Sequence, residues 1–168
     1  MRIFLIGFMG SGKSHWGKIW APSIELPFLD LDDIIEKKLG SKIADIFENQ
    51  GEAFFRKVEA ETLRSMILQE NCLVACGGGT ACFEGNMEWM KEHGLTVYLS
   101  ATPKQLFDNI MSDEIKRPLI KNINAAEILY FVEQKLKERQ SFYLEAAKTL
   151  LVSELTNHSM QDLLETDN

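Results

Sequence analysis

The sequence contains little cysteine and no long apolar run, and both shortages exclude classes of protein. Its 168 residues include three cysteines, Cys72, Cys76 and Cys82, with neither CxxC pairing nor a neighbouring histidine. This pattern argues against a metal site and predicts structural thiols in a reducing compartment. No apolar run approaches the roughly 20 residues of a membrane-spanning helix. Because the N-terminal segment also lacks a cleavage pattern, we expect a cytoplasmic protein without a signal peptide.

Positive charge is also scarce. The chain has 18 Lys and Arg residues against 25 Asp and Glu, which gives a formal net charge of −7. This balance disfavours nonspecific attraction to nucleic acid or anionic membranes, so we expect neither as a partner. An anionic ligand would need a local concentration of arginine and lysine. The length favours one domain, assigned to residues 1–168, and the absence of a long apolar seam favours a monomer.

Short apolar segments alternate with longer amphipathic ones along the whole chain. Strands separated by helices predict a parallel sheet covered on both faces, so the expected fold class is α/β with three layers, α/β/α. The predicted strands cover residues 2–6, 27–31, 72–76, 95–100 and 149–152.

Helices are predicted from apolar spacing and from capping signals. Thr102 followed by Pro103 is typical of a helix start, and Gly40 and Gly94 are typical of helix ends. Pro22 is expected to cut or bend the first helix early. The predicted helices begin at Lys13, cover about 32–39, 42–50, 52–70, 85–93, 102–111 and 125–147, and include a last one after His158.

The segment GFMGSGKS, residues 7–14, carries the most specific motif. It fits G-x-x-x-x-G-K-[ST] and lies between a predicted strand and a predicted helix, which is the context of a phosphate-binding loop. Its glycines let backbone N–H groups turn towards phosphate oxygens, and the helix N-terminus adds partial positive charge. Lys13 is expected to neutralise the β- and γ-phosphates, and the Ser14 hydroxyl to bind Mg²⁺. The motif alone does not identify the reaction.

Two aspartates follow the second predicted strand in FLDLDDIIE. Because ligands bind at the carboxyl ends of parallel strands, Asp30 could hold Mg²⁺ through water. Asp32 could then accept a hydrogen bond or a proton from a substrate hydroxyl. The alternative is that one of them caps the following helix, with Asp33 adding charge to its first turn. The residues alone leave both interpretations open.

Arg56 and Glu59 are three residues apart and therefore share one helix face. They form either an exposed ion pair of little energetic value or a pair in which Glu59 orients Arg56 towards a carboxylate. Gly77, Gly78 and Gly79 follow an apolar strand. Three glycines there fit a ligand that approaches the backbone closely, although a plain loop would also explain them.

Two further arginines are candidates for anion binding. Arg117 lies in EIKRPLIK, a polar connection between helices that could close as a lid and bring positive charge to a transferring phosphoryl group. Arg139, in KERQSFY, is a second candidate for binding a carboxylate. For both residues the alternative is a solvated surface charge.

Taken in order, GFMGSGKS, FLDLD, FRKVE, GGG, RPL and ERQSFY resemble the shikimate kinase family over most of the chain. The resemblance implies ATP-dependent phosphorylation of the shikimate 3-hydroxyl, with Mg²⁺, on the route to chorismate and the aromatic amino acids. It also implies a fold similar to that of nucleoside monophosphate kinases. This fold has a five-stranded parallel sheet, a lid at about 112–124 and a mobile substrate-binding helical segment at about 31–60.

The same resemblance implies a role for each matching residue. Lys13, Asp32 and Arg117 would be catalytic, Ser14 and (through water) Asp30 would hold the metal, and Glu59 would support the substrate site. The implied ATP-binding residues are Gly10, Ser11, Gly12, Lys13, Ser14, His15 and Arg117; the implied shikimate-binding residues are Asp32, Arg56, Gly77, Gly78, Gly79 and Arg139.

The chain departs from the family pattern at several positions. His15 and Trp16 stand where the family usually has a hydroxyl residue and a small or aliphatic one, and Trp16 is expected to pack inward. Asn109 replaces an arginine that usually stacks on adenine, and the adenine loop is expected at 153–157. The alternatives to a shikimate kinase are another small-molecule kinase with the same loop, or a nucleotide-binding module without catalysis.

Overall fold

The computed structural model of the protein describes residues 1–112 and 124–166. Five strands form one parallel sheet in the order β2-β3-β1-β4-β5. This confirms the predicted α/β class and the position of each predicted strand. The strands are β1 (Arg2–Ile6), β2 (Phe28–Asp30), β3 (Cys72–Ala75), β4 (Leu95–Ser100) and β5 (Lys148–Leu151).

The helices follow the predictions closely, with differences at their ends. Pro22 lies in the last turn of the first helix, which ends one residue later, so the proline terminates this helix. The two helices predicted on either side of Gly51 form one element with a kink, where Gly51 has φ 81° and ψ 169°. The helices are α1 (Lys13–Ser23), α2 (Leu31–Leu39), α3 (Ile43–Ser65), α4 (Asn86–His93), α5 (Pro103–Ser112), α6 (Ala125–Tyr143) and α7 (Ser159–Glu165).

The ends of α3 and α6 differ most from the sequence prediction. Helix α3 was expected to reach residue 70 but ends at Ser65, where a 3₁₀ turn follows. Helix α6 was expected to reach Ala147 but ends at Tyr143. The backbone N–H of Ala147 donates instead to Oγ1 of Thr96, the second residue of β4, at 2.9 Å. This tertiary hydrogen bond turns the chain towards β5, and helical periodicity alone does not reveal it.

Alternate residues of the central strand β1 face opposite sides of the sheet. Ile3 and Leu5 pack in a core with Trp20 of α1 and with residues of α7. Phe4 and Ile6 pack in a second core with residues of α3, α4, α5 and α6. The sheet is therefore the middle of three layers, as predicted. Within the described ranges, no helix is both long enough and apolar enough to cross a membrane.

The register of the sheet brings three polar segments to one edge. Asp30, the last residue of β2, is paired with Ala75, the last residue of β3. Ala75 is in turn paired with Leu5, near the end of β1. The phosphate-binding loop, the two aspartates and the triple glycine thus begin at neighbouring carboxyl ends, where ligands of such sheets bind.

Candidate active site

The phosphate-binding loop has the backbone that its sequence predicts. Gly10 and Gly12 have φ of 81° and 87°, a region that other residues rarely adopt. The Lys13 side chain is only 8% exposed. Its Nζ donates to the carbonyl oxygens of Gly7 at 2.8 Å and Phe8 at 2.9 Å. The lysine ammonium is thus held at the loop, where it can reach bound phosphate.

A cavity of about 870 Å³ opens above the loop. It brings the loop together with both aspartates and with two of the three consecutive glycines. Arg56, Gly79 and Arg139 are outside its lining, so the predicted substrate residues fall into two adjoining groups. The predicted residues that line the cavity are Gly10, Ser11, Gly12, Lys13, Ser14, His15, Asp30, Asp32, Gly77 and Gly78.

Asp30 contacts both the loop and the next helix. Its Oδ2 accepts a hydrogen bond from Ser14 Oγ at 2.5 Å. Its Oδ1 accepts from the backbone N–H of Asp32 at 3.1 Å, which caps α2. The capping interpretation of the sequence is therefore correct for Asp30. The same carboxylate also faces Ser14, so the two interpretations are compatible.

Asp32 lies in an environment that disfavours its charge. Burial is the main cause of a rise in its pKa from 3.8 to about 6, and the negative charges of Asp30 and Glu59 add to the rise. The positive charge of Lys13 opposes it. The carboxyl group is therefore still mostly ionised at neutral pH, but much closer to protonation than an exposed aspartate.

Arg56 and Glu59 form a buried pair. Arg56 Nη1 donates to Glu59 Oε2 at 2.8 Å, and the side chains are 10% and 1% exposed. Exposed Glu52 accepts from Nε and Nη2 of Arg56 at 3.2 and 3.1 Å. The guanidinium also lies 4.3 Å from the centre of the Phe83 ring. The alternative interpretation of Arg56 and Glu59 as an exposed ion pair is thus excluded.

Each of the three consecutive glycines lies against a different part of the site. A Cβ on Gly77 would lie 3.0 Å from both Asp32 Oδ1 and Glu59 Oε1, and one on Gly78 would lie 3.0 Å from Met9 N. A Cβ on Gly79 would lie 2.6 Å from Arg56 Nη2. The segment is therefore a tightly packed junction, and a plain exposed loop does not describe it.

Arg139 approaches the same region from α6. Its guanidinium lies 5.7 Å from the centre of the Phe8 ring. Half-buried Cys82 is close to this arginine and to Arg56: burial raises the pKa of its thiol, and the positive charges of both arginines oppose the rise. The charges of two arginines from distant parts of the sequence therefore act on the same side chain.

Some expected residues are placed differently or cannot be placed. Arg117, with most of the predicted lid at 112–124, lies outside the described residues. Trp16 stacks on Trp20, with ring centres 5.3 Å apart, and also lines the cavity. Trp20 Nε1 donates to Thr156 O at 2.8 Å, within the loop expected to contact adenine. Trp16 thus packs inward as predicted and contributes to the cavity wall.

Several residues support the site in ways that the sequence did not indicate. Asn109 Nδ2 donates to Gly10 O at 2.8 Å and holds the phosphate-binding loop. Tyr143 Oη donates to Gly78 O at 2.5 Å, and burial keeps the pKa of this phenol far above its usual value, so it stays a donor. Thr80 Oγ1 donates to Glu59 Oε1 at 2.6 Å. Tyr143 could have been found, because it follows Arg139 by four residues on one helix face.

Comparisons with known proteins agree with this geometry. The family described as "Shikimate kinase" matches residues 9–167. A shikimate kinase of Azobacteroides pseudotrichonymphae is 42% identical over 98% of this chain and 95% of its own length. One of Bacteroides fragilis is 36% identical over 95% and 89%.

Solved structures give the same result. The crystal structure of a shikimate kinase from Bacteroides thetaiotaomicron is similar with a TM-score of 0.93 and 35% identity, covering 98% of each chain. A shikimate kinase from Acinetobacter baumannii, solved in complex with shikimate, has a TM-score of 0.85 and 29% identity over 99% of this chain and 94% of its own. The chain belongs to the shikimate kinase family.

Proposed function

We propose that the protein transfers the γ-phosphoryl group of ATP to the 3-hydroxyl of shikimate, as its family membership implies. The observation that carries this proposal is one cavity lined by the phosphate-binding loop, Asp32, Gly77 and Gly78. A phosphate donor and a hydroxyl acceptor can meet there at the edge of the sheet. The relative from Acinetobacter baumannii, whose structure contains shikimate, supports the choice of acceptor.

On the donor side, the residues mainly position the nucleotide and neutralise its charge. Backbone N–H groups of Gly10, Ser11 and Gly12 surround the phosphates, and His15 lies next to them at the start of α1. Lys13 leaves the carbonyl oxygens that it contacts and binds the β- and γ-phosphates instead. Arg117 is proposed to add a second positive charge from the lid at 112–124. These contacts stabilise the charge of the transferring group.

Ser14 and Asp30 fit a magnesium ion. Their oxygens are 2.5 Å apart in the hydrogen bond that joins them, and hydroxyl and carboxylate oxygens are the ligands that Mg²⁺ prefers. Ser14 would bind it directly and Asp30 through water. When bound there, Mg²⁺ neutralises phosphate charge and fixes the orientation of the β- and γ-phosphates.

On the acceptor side, Asp32 orients the hydroxyl that attacks. Its carboxylate accepts the hydrogen bond of the 3-hydroxyl and can take the proton as the oxygen–phosphorus bond forms. The pKa of about 6 makes Asp32 a better proton acceptor than an ordinary aspartate. Arg56 and Arg139 bind the shikimate carboxylate. The Gly79 backbone lies so close to Arg56 that a Cβ there would be 2.6 Å from Arg56 Nη2.

We propose a single domain over 1–168, in which a helical segment at about 31–60 moves with the substrate. We also propose that it acts as a monomer in the cytoplasm on small molecules. The net charge of −7 supports small-molecule substrates, because nucleic acid and anionic membranes would repel such a chain.

A coupled assay of ADP release tests the reaction. The protein is supplied with Mg-ATP and either shikimate, quinate, gluconate or AMP. We expect ADP release that depends on shikimate and is lost when EDTA removes the metal. ATP binding without stimulation by shikimate would mean that the acceptor has been misidentified. Stimulation by AMP or gluconate alone would favour a different kinase.

A further inference from the structure

Glu59 is held by two donors from different parts of the chain. Its Oε2 accepts from Arg56 Nη1 at 2.8 Å, and its Oε1 accepts from Thr80 Oγ1 at 2.6 Å. Glu59 and Thr80 are both fully buried. A carboxylate with one fixed donor can still rotate about its last torsion angle, whereas two donors on opposite oxygens fix its plane. The direction in which Glu59 faces Arg56 therefore depends on Thr80.

Thr80 is itself held by a second set of hydrogen bonds. Its carbonyl oxygen accepts from Asn86 Nδ2 at 2.8 Å. The side-chain oxygen of Asn86 accepts from Arg64 Nη1 at 2.6 Å. Arg64 Nη2 also donates to Glu84 O at 2.6 Å. A continuous set of hydrogen bonds thus joins the two arginines of α3, two turns apart, through the segment that follows the triple glycine.

We propose that Thr80 is a positioning residue for shikimate binding, acting through Glu59 on Arg56, with Asn86 and Arg64 holding Thr80 in place. This inference rests on the proposed role of Arg56 in binding the shikimate carboxylate. An arginine that is already oriented binds a carboxylate with less loss of side-chain freedom, so the effect of Thr80 lies in substrate affinity. Thr80 is three residues after Gly77, and nothing in the sequence motif marks it.

A purely structural role for Thr80 makes a different prediction. If its hydroxyl only satisfies a buried carboxylate, removing it lowers stability and leaves the KM for shikimate unchanged. Thr62 offers a matched control, because it is 2% exposed and its Oγ1 donates to Val58 O at 2.7 Å within α3. Replacing either threonine with valine removes one buried hydroxyl and keeps the shape of the side chain.

The experiment measures the KM for shikimate, the KM for ATP and thermal stability in Thr80→Val, Thr80→Ser and Thr62→Val. For Thr80→Val we expect the KM for shikimate to rise about tenfold, equivalent to about 1.4 kcal/mol, with the KM for ATP unchanged. Thr80→Ser keeps the hydroxyl and is expected to restore most of the affinity. Thr62→Val is expected to lose stability only. If Thr80→Val does not fold, Thr80→Ala is measured against Thr80→Ser in the same way.

A further variant separates this inference from the proposed function. Arg56→Lys keeps the charge but loses the planar fork, so its KM for shikimate is expected to rise more than that of Thr80→Val. If Arg56→Lys raises this KM and Thr80→Val does not, the inference about Thr80 is wrong and the role of Arg56 stands. If Arg56→Lys leaves it unchanged, the assignment of the carboxylate site is wrong. Equal changes in Thr80→Val and Thr62→Val would also overturn the inference.

Discussion

The donor side of the site, which is the phosphate-binding loop, and the acceptor side are built in opposite ways. The phosphate-binding loop consists of consecutive residues, 7–14, and presents mainly backbone atoms and one lysine. The acceptor side collects side chains from the start of α2, the middle of α3, the segment after β3 and the end of α6. A binding site made of consecutive backbone groups can be recognised from sequence alone. A site made of side chains that are distant in sequence can be recognised only when the fold shows that they lie together.

The donor and acceptor sides also differ in which groups hold their charged side chains in place. Lys13 is held by backbone carbonyl oxygens of its own loop. Arg56, Glu59 and Asp32 depend on one another and on burial, so that a change in one alters the electrostatic environment of the others. We therefore expect substitutions in the loop to abolish activity, and substitutions on the acceptor side to give graded effects that separate substrate affinity from stability.

The largest effect is expected at Lys13. Lys13→Met keeps the length of the side chain and removes its charge, so kcat is expected to fall by about 10³-fold, the upper end of the range for losing one preorganised electrostatic contact. Steady-state ADP release at saturating shikimate measures it. Lys57→Met, on the exposed face of α3, serves as the control. A loss below tenfold for Lys13→Met would mean that backbone contacts alone carry the donor side.

The next effect is a stability change at Asp32 with a defined pH dependence. Its pKa in the folded chain, about 6, lies above the ordinary 3.8. The folded state therefore binds this proton more tightly than the unfolded state. The resulting stabilisation is complete below about pH 4 and is lost as the pH rises through about 6. Asp32→Asn is expected to be more stable than the natural protein by up to about 3 kcal/mol at pH 7.5.

Urea unfolding of both proteins between pH 4 and pH 7.5 measures this difference, which is expected to shrink at the acid end. Asp33→Asn, on an exposed residue of the same helix turn, serves as the control. The kcat/KM of the natural protein is expected to fall below about pH 6 as Asp32 is protonated. A stability difference that does not depend on pH would contradict the raised pKa.

The smallest effect is expected at Gly79. A Cβ there would lie 2.6 and 2.8 Å from the two terminal nitrogens of Arg56, so Gly79→Ala displaces the guanidinium. Because this guanidinium is also held by Glu59 and Glu52, we expect the KM for shikimate to rise about tenfold and the KM for ATP to stay unchanged, an effect similar to losing one charged hydrogen bond.

Gly40 provides the matched comparison for this substitution. A Cβ at Gly40 would have no neighbour within 4 Å, but its φ of +63° disfavours any side chain. Gly40→Ala is expected to lower the free energy of unfolding by about 1 kcal/mol without changing either KM. If Gly79→Ala behaves like Gly40→Ala in both assays, the contact with Arg56 has no role in binding.

Much of the fold was predictable because its signals are local. The apolar strands, the cap at Thr102 and the helix end at Gly40 each depend on neighbouring residues. The end of α6 was predicted four residues too late, because the hydrogen bond from Ala147 to Thr96 joins positions that are distant in sequence. Helical spacing carries no information about such a contact.

The candidate site was predictable to a similar extent and for the same reason. The loop residues are recognised by a contiguous motif, and Arg56 with Glu59 by helical spacing. Neither the burial of that pair nor the hydrogen bond from Thr80 could be inferred, because both require α3 to pack against the segment after β3. Residues that support a site through other residues are not marked in the sequence by their chemistry.

The position of β1 in the middle of the sheet has a consequence for how the protein is made. The phosphate-binding loop directly follows β1 and is synthesised before both partners of this strand, since these are β3 and β4, and the last of them ends at Ser100. At a synthesis rate of about 5–20 residues per second, roughly 5–20 seconds pass before β1 can be paired on both sides. The most recognisable motif of the chain is therefore synthesised well before the strands that fix its position, and it cannot take its final shape until they follow.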